Sequence, residues 1–188
     1  MKRFSGFTLI ELLVTIGVAA ILAAIAVPAY NHLVSGNRVV GAVNDLAASL
    51  GMARSEAITR GERVGVCPSE QPLVDSPVCS QSGWSKGWLV YADPDDNGTY
   101  DGKAENLIRV HGPVGKISMP DPSRNHYVAF NRMGFAQPTF KGSGKQKLTI
   151  IACPPGGRDA NARALVLVLA GSITTSARKA DGGSYTCP

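Results

Sequence analysis

The hydrophobic pattern of the chain changes twice. Residues 7–27 are almost wholly apolar, and about 20 such residues are enough to cross a bilayer as a helix. Beyond Pro28, apolar residues recur at three- and four-residue spacing, which predicts an amphipathic helix that ends at Gly61. We expect one helix from Phe7 to about Arg60, bent but not ended by the proline, because helical periodicity resumes after it. The expected apolar face of the second half consists of Val39, Val40, Val43, Leu46, Ala47, Leu50, Ala53, Ala57 and Ile58.

After the helix, the pattern becomes one of short β-type runs separated by Gly, Pro, Asn, Asp and Ser clusters. The continuous apolar run 165–169 predicts a central, buried strand, and Gly171 with Ser172 predicts a tight hairpin. The predicted fold class is α+β: a long N-terminal helix, with a transmembrane half (7–27) and an amphipathic half (28–61), packed on an antiparallel β-sheet domain (62–188). The predicted strands are 63–67, 87–92, 107–111, 127–131, 148–153, 164–169 and 173–177.

The start of the chain combines two basic residues, a glycine and one misplaced acid. Lys2 and Arg3 precede the apolar span, the one small-residue cleavage site lies before that span at Gly6, and Glu11 is the one ionisable group within it. A carboxylate in hydrocarbon is costly unless it meets a partner. Basic residues stay on the cytoplasmic side, so everything after Val27 is expected outside the inner membrane.

The run from Gly6 to Glu11 (GFTLIE) resembles the class III leader of type IV prepilins and type II secretion pseudopilins. The resemblance implies a leader of residues 1–6, cleavage after Gly6 by a membrane peptidase and methylation of the new Phe7 amine. Glu11 of one subunit would pair with the Phe7 amine of its neighbour and set the axial register of packed helices. The alternative is that the Glu11 carboxylate reaches the headgroups alone.

Three further stretches resemble the GspH/FimT/FimU branch: 37–46 (NRVVGAVNDL), 53–58 (ARSEAI) and 84–93 (WSKGWLVYAD). The resemblance implies a minor pilin that helps to initiate a pilus and lies at or near its tip. It also implies other minor and major pilins, bound through the N-terminal helix, and the prepilin peptidase as partners, and it implies location in the inner membrane and the pilus fibre. The alternatives are a pilus-tip DNA receptor for natural transformation and a minor pseudopilin of a type II secretion system.

Four cysteines in an exported domain predict two disulfides. Three pairings exist, and we favour Cys67–Cys79 with Cys153–Cys187 because each closes a moderate loop, worth about 3 kcal/mol. The alternative is a metal site, but there is no Cys-x-x-Cys pair and no His cluster. The three histidines are scattered away from any Cys or Ser motif, so the sequence predicts no enzyme and no cofactor.

An acidic loop resembles the front of a calcium site. Asp93, Asp95, Asn97 and Asp101 place oxygens at alternate positions, with Gly98 at the turn. In an EF-hand loop, the last ligand is an acid that binds calcium through both carboxylate oxygens, but Ala104 occupies that position here. No helical pattern flanks the loop. We therefore favour a β-turn between two strands and keep calcium as the alternative.

Basic residues gather late in the chain, at Arg158, Arg163, Arg178 and Lys179. In the FimT type, a basic hairpin motif near the C-terminus is associated with DNA uptake, but the matching hairpin here, 171–174 (GSIT), lacks both arginines. Loss of Lys2 and Arg3 with the leader takes 19 basic residues to 17 against 14 acidic ones, and the net charge from +5 to +3. Such a charge is a weak argument for a polyanion partner, and we favour a solvated surface over DNA binding.

Trp84 and Trp88 lie four residues apart around Ser85, Lys86 and Gly87. Aromatic residues in this arrangement either contact a ligand or pack a hairpin against a helix. We favour packing against the amphipathic half of the N-terminal helix.

The mature chain should start at Phe7 with a methylated amine. Mass spectrometry of the membrane-extracted protein checks this directly. Gly6→Leu should leave the precursor uncut, whereas Ser5→Leu serves as the neighbouring control and should be processed. An intact Met1, or a cut after Ala29, would contradict the assignment of residues 1–6 as a leader.

Overall fold

The computed structural model describes residues 8–81, 83–98, 100–103, 106–120, 127–138, 147–157 and 159–187. The chain forms two compact units, residues 1–35 and residues 36–188. The amphipathic part of the helix from Gly36 onward therefore belongs to the same unit as the β-strands.

A single helix, α1, runs from Leu9 to Arg60 and continues through Pro28, as the periodicity predicted. It ends where the amide of Gly61 donates to the carbonyl of Ala57 at 3.1 Å. Gly61 has φ of +70°, a left-handed conformation that glycine adopts without steric cost.

In the first unit, the large apolar side chains of α1 from Leu9 to Val27 are exposed, Leu9 by 76% and Ile25 by 68%. An 18-residue window there has a mean hydropathy of 2.6, and none of it is buried. By length and composition, α1 is the one helix among the described residues that is able to cross a membrane.

The strands form two antiparallel sheets, where the sequence had indicated one. The five-stranded sheet has the order β3-β2-β1-β4-β5, and the three-stranded sheet has the order β6-β7-β8. The seven predicted strands are found within one residue of each expected end, and β7 is central as expected. The eighth, β5, is only three residues long and ends in a proline, so its pattern was too short to predict. The bounds are β1 Arg63–Pro68, β2 Trp88–Asp93, β3 Leu107–His111, β4 Val128–Phe130, β5 Ala136–Pro138, β6 Lys147–Ala152, β7 Arg163–Val168 and β8 Ile173–Ser176.

One core joins α1 to both sheets. Leu46 and Leu50 of α1 have no exposed area and belong to a cluster with residues of β1, β2, β4, β6 and β7. The expected apolar face was slightly misplaced, because Val40 is 37% exposed and Ile58 is 52% exposed, while Ala42 is buried. The buried positions still recur at three- and four-residue spacing. The observed apolar face therefore differs from the expected one only in the residues at its edges.

Trp84 and Trp88 are completely buried in this core, which agrees with the packing interpretation. Trp88 also stacks on His111, with ring centroids 3.9 Å apart and planes 5° apart. The His111 imidazole in turn lies 3.6 Å from the Asp45 carboxylate of α1. These side chains tie β2 and β3 to the helix rather than present an aromatic surface to a ligand.

The structure joins Cys67 to Cys79 and Cys153 to Cys187, which is the favoured pairing. The first disulfide closes the loop that follows β1. The second holds the C-terminal segment next to the end of β6, where Tyr185 is buried.

The two sheets are linked at one corner beside the helix. The amide of Ala136 in β5 donates to the carbonyl of Leu169 at 2.9 Å. The Arg54 guanidinium of α1 donates to the carbonyls of Gly171 and Ala170, at 3.1 and 3.4 Å. A Cβ atom on Gly171 would lie 2.2 Å from the carbonyl oxygen of Gly134, so this corner requires glycine.

Leu50→Ala should lower the free energy of unfolding by about 3 kcal/mol, because it removes apolar contacts and leaves a cavity between α1 and the sheets. Ile58→Ala, at a half-exposed position of the same helix, should cost less than about 1 kcal/mol. The measurement is tryptophan fluorescence during urea unfolding of the full chain in detergent, since both tryptophans are buried. Equal losses in the two variants would contradict this account of the core.

Candidate functional site

The described part of the N-terminal segment begins with a capped helix. The hydroxyl oxygen of Thr8 accepts a hydrogen bond from the amide of Glu11 at 3.3 Å, and the Thr8 carbonyl accepts one from Leu12 at 3.2 Å. Thr-x-x-Glu is the sequence of a capping box, and an acid in the first turn suits the positive end of the helix dipole. The same residues that define the leader motif therefore also define where α1 begins. Gly6 and Phe7 lie outside the described residues.

The Glu11 side chain is exposed on a helix whose surroundings are otherwise apolar. Among the described residues no cation lies within ion-pair distance of its carboxylate. Thr15 on the same segment differs, because its hydroxyl donates to the Leu12 carbonyl at 2.8 Å and so is satisfied within the helix. Within the part of the chain that the structure describes, the charge of Glu11 is therefore not neutralised.

The acidic loop after β2 is organised around Arg63 rather than around a cation site. Asp93 lies opposite Arg63 in the β1–β2 register, and their side chains form an ion pair at 3.4 Å. Asp93 also accepts the amides of Asn97 and Gly98, at 3.1 and 2.9 Å. Burial raises the pKa of the Asp93 carboxyl, while those amides and Arg63 favour its charged form.

Arg63 also contacts two further side chains around the loop. Its Nη1 is 2.7 Å from the Asp96 carboxylate, and its Nη2 donates to the Tyr127 hydroxyl at 2.6 Å. The buried Tyr91 hydroxyl donates to the carbonyl of Gly98 at 3.1 Å, and burial raises the pKa of Tyr91, so it remains a neutral donor. The loop is a β-turn locked to strands β1 and β2.

Of the four residues expected to bind calcium, Asp93, Asp95 and Asn97 share one hydrogen-bond network, and Asp101 belongs to another. Asp95 accepts the side-chain amide of Asn97 at 2.6 Å, whereas Asp101 accepts the amides of Lys103 and Asn106, both at 3.0 Å. The Lys103 amide is the main cause of the lowered pKa of Asp101. Among the described residues, no three metal-ligating acids, histidines or cysteines come together. The geometry thus favours the β-turn over the calcium interpretation.

The predicted basic residues are separated by the fold. Arg178 and Lys179 line one groove, together with Lys147, which starts β6. Arg163 lies at the start of β7 and does not line this groove, and Arg158 is outside the described residues. Sequence analysis did not group Lys147 with these residues, because no local pattern relates it to positions about thirty residues later.

This groove, which we call the basic groove, is open and has a volume of about 710 Å³. Its floor is the outer face of the three-stranded sheet, where Thr149, Val166 and Thr174 lie side by side in register. One wall is the turn after β8, in which the Lys179 amide donates to the Gly183 carbonyl at 2.8 Å. Among the described residues, none of the groove's three cations has an ion-pair partner.

Comparison with known proteins assigns this architecture to a class. A family model described as "Prokaryotic N-terminal methylation motif" matches residues 1–27, and one described as "Type II transport protein GspH" matches residues 42–172. The fold is similar to crystal structures of the type IV minor pilin FimU of Pseudomonas aeruginosa. The two crystal forms give TM-scores of 0.57 and 0.54 at 20% identity, covering 80% and 78% of this chain and 95% and 97% of FimU.

Several fimbrial proteins are similar to part of this chain. A fimbrial protein of Pseudomonas aeruginosa is 41% identical over 64 residues, which are 34% of this chain and 41% of that protein. A fimbrial protein of Dichelobacter nodosus is 36% identical over 96 residues, 51% of this chain and 54% of that protein. Fimbrial protein Q of Moraxella bovis is 48% identical over 48 residues, 26% of this chain and 31% of that protein. The chain thus spans about a third to a half of the length of these relatives.

An N-terminal methylation motif followed by a long apolar helix and a two-sheet domain of this fold defines a pilin-type protein, a class that includes minor pilins and pseudopilins. Within that class, this chain belongs to the GspH family. The class is structural, and its members assemble with other pilin-type subunits.

Asp93→Ala should lower the free energy of unfolding by about 3 kcal/mol, because it removes the buried carboxylate that pairs with Arg63 and that accepts two backbone amides. Asp95→Ala, on the exposed side of the same turn, should change it by less than about 1 kcal/mol. Urea unfolding of the full chain in detergent measures both. Calcium should leave the wild-type midpoint unchanged, and a clear calcium-dependent increase would restore the calcium interpretation.

Proposed function

We propose that this protein is a minor type IV pilin that helps to initiate pilus assembly and lies at or near the pilus tip. The observation that carries the proposal is the joining, in one chain, of a methylation motif to a domain with the fold of the minor pilin FimU. The similarity to fimbrial proteins supports a pilus over a secretion system. The role is structural rather than catalytic.

We propose that the precursor lies in the inner membrane with its domain in the periplasm. Lys2 and Arg3 stay in the cytoplasm, and residues 7–27 form the span. The prepilin peptidase cuts after Gly6, and the Phe7 amine is methylated. The methylation-motif match over residues 1–27 supports this processing.

Glu11 then sets the register between neighbouring subunits. Among the described residues, its carboxylate has no cation as a partner. Placing an isolated charge in hydrocarbon costs several kcal/mol. The Phe7 amine of an adjacent subunit supplies the opposite charge. Small residues of the same segment, Gly17, Ala20 and Ala24, let neighbouring helices approach closely enough for the pair to form.

A minor pseudopilin of a type II secretion system is the alternative that the family description itself supports. The two functions differ in what a deletion removes. Loss of surface pili with normal protein secretion supports the pilin, and the reverse supports the pseudopilin.

Glu11→Ala should permit leader cleavage but reduce methylation or incorporation of the subunit into pili, since the amine of the neighbour loses its partner. Immunoblots of sheared pili from cells with native expression measure incorporation, and we expect a loss of at least tenfold. Thr15→Ala is the matched control, because the Thr15 hydroxyl is already satisfied by Leu12. Normal incorporation of the Glu11 variant would argue against the pairing.

DNA reception at the pilus tip is a second candidate, favoured by one observation: Arg178 and Lys179 share the basic groove with Lys147. Against it, Ser172 and Thr174 occupy the hairpin positions where the DNA-uptake type carries arginines. Three cations provide only a modest number of phosphate contacts.

The purified protein should therefore bind duplex DNA weakly or not at all at physiological salt, as measured by gel shift. Binding at micromolar concentration or tighter, with steep salt dependence, would make the DNA receptor the leading function, provided that the Arg178→Ala, Lys179→Ala double variant abolished it. Lys116→Ala with Arg132→Ala, at two exposed positions outside the groove, is the charge-matched control.

A further inference from the structure

Among the described residues, no strand pairs with the outer edge of β8, and this edge lacks the usual protection. It is the outer strand of the three-stranded sheet, and its sequence, Ile-Thr-Thr-Ser, is uncharged and rich in β-branched residues. Exposed edges pair readily with other chains, and proteins normally block them with charges, prolines, bulges or covering segments.

The other three edge strands carry such devices. The β2–β3 pairing has an irregularity at Val90 and Tyr91, and β3 exposes Arg109. β5 ends in Pro138 and donates an amide to Leu169. β6 begins with Lys147, and Cys153, the residue that follows the end of β6, pairs with Ser118. β8 is the exception among the described strands.

The register shows which backbone groups of β8 are free. In the β7–β8 hairpin, the Val168 amide donates to the Ser172 carbonyl at 3.1 Å. Because hydrogen-bonded and non-bonded pairs alternate in antiparallel ladders, Thr174 and Ser176 bond to β7. Ile173 and Thr175 therefore direct their amides and carbonyls away from the sheet.

The middle of β8 is exposed to solvent. Thr174 and Thr175 are both exposed. Thr175 lies opposite Leu165, on the face of the sheet that packs on the core, yet among the described residues nothing covers it. An added strand would thus meet the core side of Ile173 on one face and the basic groove on the other.

We infer that the free edge of β8 accepts an extended segment of another pilin-type subunit, with carboxylate side chains directed toward Arg178 and Lys179. Main-chain hydrogen bonds to Ile173 and Thr175 provide the pairing, as in other cases of strand addition. Alternate side chains of the segment lie over the basic groove, where three cations against the single carboxylate of Asp181 favour acids over bases. The inference rests on the proposed assembly function, which supplies the partner.

Site-specific photo-cross-linking in cells of the source organism tests it with the full chain. The photoreactive residue p-benzoylphenylalanine replaces Thr175, and the control places it at Gln137, an exposed position on the β5 edge. We expect an adduct at position 175, at least fivefold more abundant than at 137, whose cross-linked peptide comes from an acidic, extended segment of another pilin-type subunit.

Charge reversal provides the second arm. Arg178→Glu with Lys179→Glu, in the Thr175 cross-linking background, should reduce the adduct at least fivefold. Glu56→Lys with Glu62→Lys, remote from the groove, should not. Intact disulfides and unchanged tryptophan fluorescence verify that each variant is folded.

Each outcome separates the inference from the proposed function. Absence of an adduct at 175, equal yield at 137, or insensitivity to charge reversal overturns the inference even if the protein is required for pili. An adduct with a secretion pseudopilin supports the inference while overturning the pilus assignment. An adduct with nucleic acid overturns the inference in favour of the DNA receptor.

Discussion

Both sheets of the domain depend on the burial of one face of α1. Leu46 and Leu50 have no exposed area, and each contributes about 2–3 kcal/mol by leaving water. The apolar face of a sheet must be buried against another element, and α1 covers that face of the three-stranded sheet through the shared core. The five-stranded sheet packs on the same face, which makes the helix the element that both sheets share. Gly61 ends the helix just before β1 begins, so the sheet starts where the packing face stops.

Around that core, a few polar contacts and two disulfides determine which surfaces are rigid. Arg54 binds the turn between β7 and β8, and Arg63 binds the turn after β2. The Cys153–Cys187 bridge holds the C-terminal segment whose turn carries Arg178 and Lys179. As a result, the edge of β8 and the basic groove are presented by a fixed frame, which lowers the entropy lost when a partner binds.

The apolar segment before the domain follows a different constraint. The large apolar side chains from Leu9 to Val27 are exposed. The stability of this segment therefore depends on lipid or on neighbouring helices rather than on packing within the chain. Thr8 and Glu11 begin the helix through a local capping bond, and among the described residues the Glu11 carboxylate has no ion-pair partner. The same short motif therefore starts a helix and carries the charge on which the proposed pairing between subunits depends.

Local periodicity accounts for the features that were predictable without coordinates: α1, seven strands within a residue of their ends, and both disulfide pairings. These depend on spacing along the chain, and the GFTLIE motif likewise needs only adjacent residues to be recognised. Other features were decided by the tertiary structure. The pairing of Asp93 with Arg63 and the grouping of Lys147 with Arg178 join residues about thirty positions apart. The division into two sheets and the free edge of β8 depend on where each strand lies in its sheet. The acidic loop shows the reason most clearly, because its spacing fits either a cation or a β-turn, and only the strand register brings Arg63 to its carboxylate.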